Sequence, residues 1–542
     1  MTPITVFIAV VVAALILHDW RKALPALFLI GVLQDVLRKL TPGAPAYFIL
    51  GIGSMFVLIF IVAYAQGSVR GLRPLYLHDA RLRTAWGLFI LVVVLQAGHT
   101  LVRWGNPMIA VLGLVFYLGP ILALLIGFAY ARSEQRIIHL LTVYVLIMVP
   151  SALTVYLSAE YGDQWPVLRD VGTFTGTQLV ISFGGASMAS YPGIFRVGEL
   201  AAWHAATSIA FLSILVIRKP SLLSMIVAGL LGSLLVGVII LTGRRKMLMT
   251  LTVFFSFQWV LILLLRKGLT RANGILLLLA VVGTLAFSLL GHEEGIGETS
   301  AYSERGLSVL ESTDDRLDTT LNLVQSAWYR SGGIGVGAGV AGQGARFAGG
   351  SGAQAVGGSA EAGLGMIIVE LGLAGLVAMI WLLYCLTTRM WAGLRMLARI
   401  NVRWMIYGAS FAAFLIANLA TFGVAVQLYS DYVVLILLGL VAGMLFALVS
   451  AGIELYYAQG RLRWEQRMGT VDWAGAPAAR PTTPDLQGDP FAGGRTINSY
   501  SQLVSPLIRL ATRNSHLSAY VNEFCLSING GPKGSLITSI PR

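Results

Sequence analysis

The sequence predicts an all-α integral membrane protein, a polytopic bundle of 12–13 transmembrane helices with a long external loop containing short helices. Three observations predict it. The chain has 542 residues, of which 56% are hydrophobic and only 12% charged, with a mean hydropathy of +0.78. A soluble domain carries about 25% charged residues, so half that charge cannot cover a water-facing surface, and a large cytosolic enzyme, a disordered chain and a coiled coil are excluded. Apolar runs of spanning length recur along the chain. The connections between them alternate in charge.

The apolar runs, marked off by charges, are 3–18, 24–37, 46–66, 84–102, 107–130, 137–157, 198–217, 221–242, 247–265, 273–290, 363–386, 404–424 and 432–455. The N-terminus has neither a basic region nor a small-residue cleavage pattern, so 3–18 is expected to be a first membrane segment. The run 24–37 is short and contains Asp35, which leaves 12 full spans as the alternative count. Pro120 is expected to kink 107–130 without ending it, because lipid enforces helix.

Charge gives the topology. Every second connection holds 20 basic residues in all, from Arg21 and Lys22 through Arg389, Arg395, Arg399 and Arg403 to Arg461, Arg463 and Arg467. By the positive-inside rule this set is cytoplasmic. The two long loops, 158–197 and 291–362, are then external, and so is the hairpin 242–246 between two spans. The chain divides into N-terminal helices (1–157), the loop 158–197, helices 198–290, the long loop 291–362, C-terminal helices 363–455 and a mostly disordered cytoplasmic tail, 456–542, rich in Pro, Gly, Ser and Asn. One connection breaks the rule: Arg244-Arg245-Lys246 places three positive charges outside. Either the register slips there by one segment, or the charges are kept outside because they hold an anion.

No HExxH or CxxC pattern occurs, and Cys385 and Cys525 lie in unrelated contexts, so no metal and no cofactor are expected. The net charge of +13 is accounted for by topology, and no basic run with interleaved aromatics suggests nucleic acid as a partner. The segment 331–358 holds 12 glycines and formally contains G-x-G-x-x-G at Gly337–Gly342, but no strand precedes it. It reads either as a flexible external loop or as backbone amides that approach a phosphate or sugar closely.

The ionisable residues assigned to the outside concentrate in four places: loop 158–200 with Arg169, Arg196, Glu199 and His204; the hairpin with Arg244 and Arg245; the long loop, including Arg316; and Glu361, with Glu370 about two turns further into the membrane. Arginine's planar fork binds phosphate oxygens bidentately and stays charged beside lipid, so a group of arginines at the lipid boundary suits a pyrophosphate. An ionisable residue inside the membrane, such as Glu370, is a functional candidate because it is costly.

Arg316 and the Gly335-x-Gly337-x-Gly339 turn nineteen residues later resemble the long-loop signature of the O-antigen ligase and O-antigen polymerase (Wzy-type) superfamily. Glu370-Leu-Gly372-Leu-Ala-Gly375-Leu resembles the helix after that loop, Leu241-Thr242-Gly243-Arg244 its hairpin motif, and Arg196-Val-Gly-Glu-Leu200 an Arg-x3-Leu motif. The resemblance covers about 190–380. It departs from ligases where they carry a histidine at the end of the long loop, since Glu361 stands there, and it leans toward polymerase-like or exopolysaccharide-assembly members.

The resemblance implies a metal-independent membrane glycosyltransferase of the bacterial inner membrane. It would use an undecaprenyl-pyrophosphate-linked saccharide donor and a glycan acceptor, among membrane lipid and other polysaccharide-assembly proteins. It implies Arg196, Arg244 and Arg316 at the pyrophosphate, with Arg245 and Arg169 as second choices, and Glu361 or His204 as the base. The alternative is a secondary transporter or lipid-linked oligosaccharide flippase.

Overall fold

The computed structural model describes residues 3–42, 47–69, 79–131, 133–162, 164–172, 181–183, 186–218, 220–244, 246–265, 322, 324–342, 363–424 and 427–469. All fall within the compact unit Met1–Ala478. Twelve long helices run through them: α1 (Pro3–His18), α2 (Trp20–Leu40), α3 (Tyr47–Ala65), α4 (Ala80–Trp104), α5 (Pro107–Tyr130), α6 (Glu134–Tyr161), α7 (Gly198–Arg218), α8 (Leu222–Leu241), α9 (Lys246–Leu265), α10 (Gly363–Ile400), α11 (Val402–Val424) and α12 (Tyr432–Gly469). Nine of them, α4 to α12, are long and apolar enough to cross a membrane. The protein is an all-α polytopic membrane protein, and each predicted run is helical except 273–290, which lies outside the described residues.

Local chemistry sets the helix starts. Asp79 caps α4 by accepting from the Leu82 amide, and Asn106 caps α5 just before Pro107, whose ring fits the first helical position. Ser133 caps α6, and Ser221 and Ser224 form a capping box at α8. Pro120 stays inside α5, as the sequence predicts.

At the centre, α12 crosses α5 with almost no space between backbones. A β-carbon on Gly127 would meet the Leu440 carbonyl, and one on Gly443 would meet that of Leu124. In lipid, where apolar burial between helices gains little, such small-residue crossings supply the packing. The peripheral helix α8 keeps Leu222, Leu223, Ile226 and Leu230 exposed, as a lipid-facing surface requires.

The connections sort into two ends. At one end Glu134 meets Arg218 at 3.3 Å and accepts from Tyr407 at 2.9 Å, and Asp79 meets Arg389 at 3.7 Å. At the other, Lys39 bonds to the carbonyls of Val167 and Gly193, and Ser190 Oγ donates to the Thr242 carbonyl at 3.0 Å. The hairpin after α8 therefore shares an end with loop 158–197, and its charges are no slip of register.

The structure differs from the expectation in four places. Loop 158–197 holds a small hairpin of β1 (Ile181–Phe183) and β2 (Ala186–Met188), antiparallel with Ser182 opposite Ser187. The helix α12 continues to Gly469, past the expected start of the tail at 456. The helix α10 runs to Ile400 and is broken at Gly372, whose φ of 68° and ψ of −167° suit only glycine. The glycine-rich stretch is no external flexible loop in its described part: residues 335–341 are buried among α4, α5 and α10.

Candidate functional site

Arg196 ends the segment that leads from β2 into α7. The turn before it is pinned from several sides. Thr154 Oγ1 of α6 accepts the Ile194 amide at 3.0 Å, and Lys39 Nζ at the end of α2 donates to the Gly193 carbonyl at 2.8 Å. The Arg196 amide donates to Asp35 Oδ2 at 3.1 Å, and its carbonyl accepts from the Val171 amide at 3.0 Å. The guanidinium then reaches Asp431 just before α12, with Nη2 2.8 Å from Oδ2. Its Nη1 is buried with no hydrogen-bond partner.

Asp170 joins this group to the hairpin. Its Oδ1 accepts the Gly172 amide at 2.7 Å. Burial pushes its carboxyl above the usual carboxylate range, against the opposing pull of that bond and of the Lys39 and Arg244 cations. Arg244 follows Gly243, whose φ of 65° turns the chain back between α8 and α9. The Nε and Nη2 groups of Arg244 are buried and have no hydrogen-bond partner. Gly198, two residues after Arg196, lies against Ser190 and Thr242, so the approaches to the two arginines touch.

Of the other predicted residues, Glu199 is buried in the first turn of α7, with Oε1 unpartnered. His204 is buried one turn deeper. Its Nδ1 lies 2.7 Å from the Tyr144 hydroxyl, and its ring stacks on Phe195 with centroids 5.1 Å apart. Arg169 donates through Nε to the Gly162 carbonyl at 3.2 Å, at the end of α6. Arg245, Arg316 and Glu361 lie outside the described residues. The structure thus brings Arg196 and Arg244 to one place, leaves His204 below them among aromatic rings, and turns Arg169 Nε toward the end of α6.

Sequence reasoning missed Asp35, Arg38, Lys39 and Asp431 as parts of the site. The signal was present in Asp35-Val-Leu-Arg38-Lys39, where spacings of three and four place the charges on one helix face. Asp35 stands in the weakest predicted span, 24–37, as a mark against it, and Arg38 and Lys39 lie just past its end. All three side chains are buried, as is Asp431. Asp431 was legible only as a cap: its Oδ1 accepts the Val434 amide at 3.1 Å.

The cluster holds Arg38, Lys39, Arg196 and Arg244 against Asp35, Asp170 and Asp431. Charge is nearly balanced, yet donors on two arginines are unspent. Buried donors without partners are costly, and an anion arriving at this end would satisfy them. No protein-family model matches the chain, and no curated protein matches it. Among the described residues no group of three His, Cys, Asp or Glu could hold a metal ion.

Proposed function

We propose that the protein is an integral-membrane glycosyltransferase that transfers or polymerises saccharide from an undecaprenyl-pyrophosphate donor on the periplasmic face, as exopolysaccharide or O-antigen polymerases and ligases do. The observation that carries the reading is the pair Arg196 and Arg244. Both sit at one end of the bundle, both have buried and unpartnered guanidinium nitrogens, and both fall within motifs that resemble that superfamily. Pyrophosphate is already a good leaving group, so the protein mainly has to position it and stabilise its charge. The two arginines, with Arg245 and Arg316, would do so. Glu361 or His204 would accept the proton of the acceptor hydroxyl.

The experiment is deletion of the gene with analysis of lipid-linked saccharides. The expected result is a lipid-linked repeat unit that accumulates on the periplasmic leaflet while the finished glycan is lost. Unchanged glycan and unchanged lipid-linked pools would overturn the reading.

A second reading, a lipid-linked oligosaccharide flippase or secondary transporter, is favoured by one observation. The helix α10 is broken at Gly372 beside the buried Glu370, and discontinuous helices with buried charges mark transport sites. Accumulation on the cytoplasmic leaflet instead would support it.

A further inference from the structure

The break in α10 leaves backbone groups without helical partners. With Gly372 out of helical conformation, the carbonyls of Val369 and Glu370 lose their donors and the Leu373 amide loses its acceptor. Segment 332–342 supplies all three. The Val336 amide donates to Val369 O at 2.8 Å, the Gly337 amide to Glu370 O at 3.2 Å, and the Leu373 amide to Gly333 O at 2.9 Å. The other side of the segment is held by α4. Thr100 Oγ1 donates to the Ala338 carbonyl at 2.8 Å, and Trp104 Nε1 to that of Val336 at 2.9 Å. The fit is close on both sides: a β-carbon on Gly337 would strike Thr100, and one on Gly113 of α5 would strike Ala338.

Each of these bonds is neutral. The side-chain contact from α10 is different. Glu370, with no exposed surface, accepts the Ala341 amide at Oε1 at 2.8 Å. The amides of Gly339 and Gly342 turn toward the same carboxyl, and Tyr117 of α5 lies beside it. Closely spaced backbone amides make a nest for an acidic group, and here the protein's own carboxyl fills it. Its second oxygen, Oε2, is buried with no hydrogen-bond partner. The segment is thus a plug made of backbone, seated in a polar slot of the bundle and fastened at its far end by one side chain.

We propose that Glu370 is the latch of a removable plug: its carboxylate holds 332–342 between α4, α5 and α10, and release of that hold opens a slot lined by Thr100, Tyr117 and Glu370 itself. The inference rests on the backbone bonds and the nest, and it stands whether or not the chain handles a pyrophosphate donor. Opening exposes polar side chains to anything entering from that end, so the plug regulates access to the interior. Among the described residues, the Glu370 carboxyl is the group that takes the amides at the far end of the segment, 339–342. Removal of this one group therefore releases the segment while the helices stay packed.

Cysteine protection tests it on the full chain, purified in detergent, with Cys385 and Cys525 replaced by alanine and serine. Val340→Cys places a thiol in the plug, and Val449→Cys places one in the core of α12; both valines are fully buried. The probe is a hydrophilic maleimide. With Glu370 present, both thiols are expected to react slowly. In Glu370→Ala, the thiol at 340 is expected to react at least about tenfold faster and the thiol at 449 at its former rate. Glu370→Gln keeps an acceptor oxygen and is expected to fall between. Gly337→Ala, which pushes the plug off Thr100 without touching the carboxylate, is expected to expose position 340 as well. Equal protection of position 340 in all backgrounds would overturn the proposal, as would fast labelling of position 340 when both Glu370 and Gly337 are unaltered. Exposure of both thiols in Glu370→Ala would also overturn it, because Glu370 would then hold the whole fold and not the plug.

Discussion

Arg196 and Asp431 are joined at 2.8 Å between the start of α7 and the start of α12, two helices separated by more than 200 residues of sequence. Their side chains are 14% and 3% exposed, so the pair sits almost wholly out of water. Asp431 divides its oxygens: Oδ2 takes the arginine and Oδ1 caps α12. One residue thus fixes the direction of the central helix and the place of the arginine.

Asp431→Ala is accordingly expected to be among the most damaging single changes at this end. Removing one partner of a buried pair costs roughly 3–5 kcal/mol because the other charge is left stranded, and the lost cap adds about 1 kcal/mol. The expected outcome is a clear fall in the melting temperature of the detergent-purified protein. Asp431→Asn, which keeps the cap, should fall less. Equal melting of Asp431→Ala and the unaltered protein would show that the pair contributes nothing to the fold.

Asp170 gives the pH dependence its sign. Burial raises its folded-state value above that of the unfolded chain. Its contribution to stability is therefore full below the unfolded value and is lost as pH rises through the folded one. In Asp170→Asn this loss is absent. The gap in melting temperature between the parent protein and the variant should move against the parent from acid to neutral pH. A gap that is constant with pH, or one that moves in the parent's favour, would contradict the raised value.

Chelation tests how the leaving group is stabilised. With arginines in that role, saccharide transfer should survive EDTA. Activity that disappears on chelation and returns with Mg²⁺ or Mn²⁺ would assign the role to a metal ion.

Reporter fusions test the compartment. A fusion at Gly350 should give a periplasmic signal, and one following Gly469 a cytoplasmic signal, as the distribution of basic residues requires. A cytoplasmic signal at Gly350 would place the arginine cluster away from any periplasmic acceptor.

Much of the fold was legible because lipid simplifies the problem: a run of apolar residues between charges has to be helix. The same logic hid the site's supports. Asp35 interrupts the apolar run 24–37 and Arg38 and Lys39 end it, so a hydropathy reading counts Asp35 against the span and the two cations only as its boundary. Their value comes from partners at Arg196, Gly193 and Val167, more than 120 residues away in sequence. Arg196 and Arg244 could be singled out because charge at a lipid boundary is conspicuous by itself. The burial of 335–341 could not be read, since glycine gives no hydropathy pattern. The break at Gly372, which calls for those glycine amides, looks in sequence like any other glycine in a membrane helix.

The most direct test of the proposed chemistry is transfer by purified protein reconstituted with undecaprenyl-pyrophosphate-linked saccharide, comparing the parent with Arg244→Ala and Arg244→Lys. Arg244 has buried nitrogens without partners, so its loss should scarcely change the melting temperature. A charge-assisted hydrogen bond contributes roughly 1.5–3 kcal/mol, and each 1.36 kcal/mol is about tenfold in rate. Arg244→Ala should therefore lose about one to two orders of magnitude in transfer, with Lys between the two if charge is most of the effect and near Ala if the bidentate fork is. Undiminished transfer by a well-folded Arg244→Ala protein would contradict the assignment and leave Arg244 an ordinary interfacial charge.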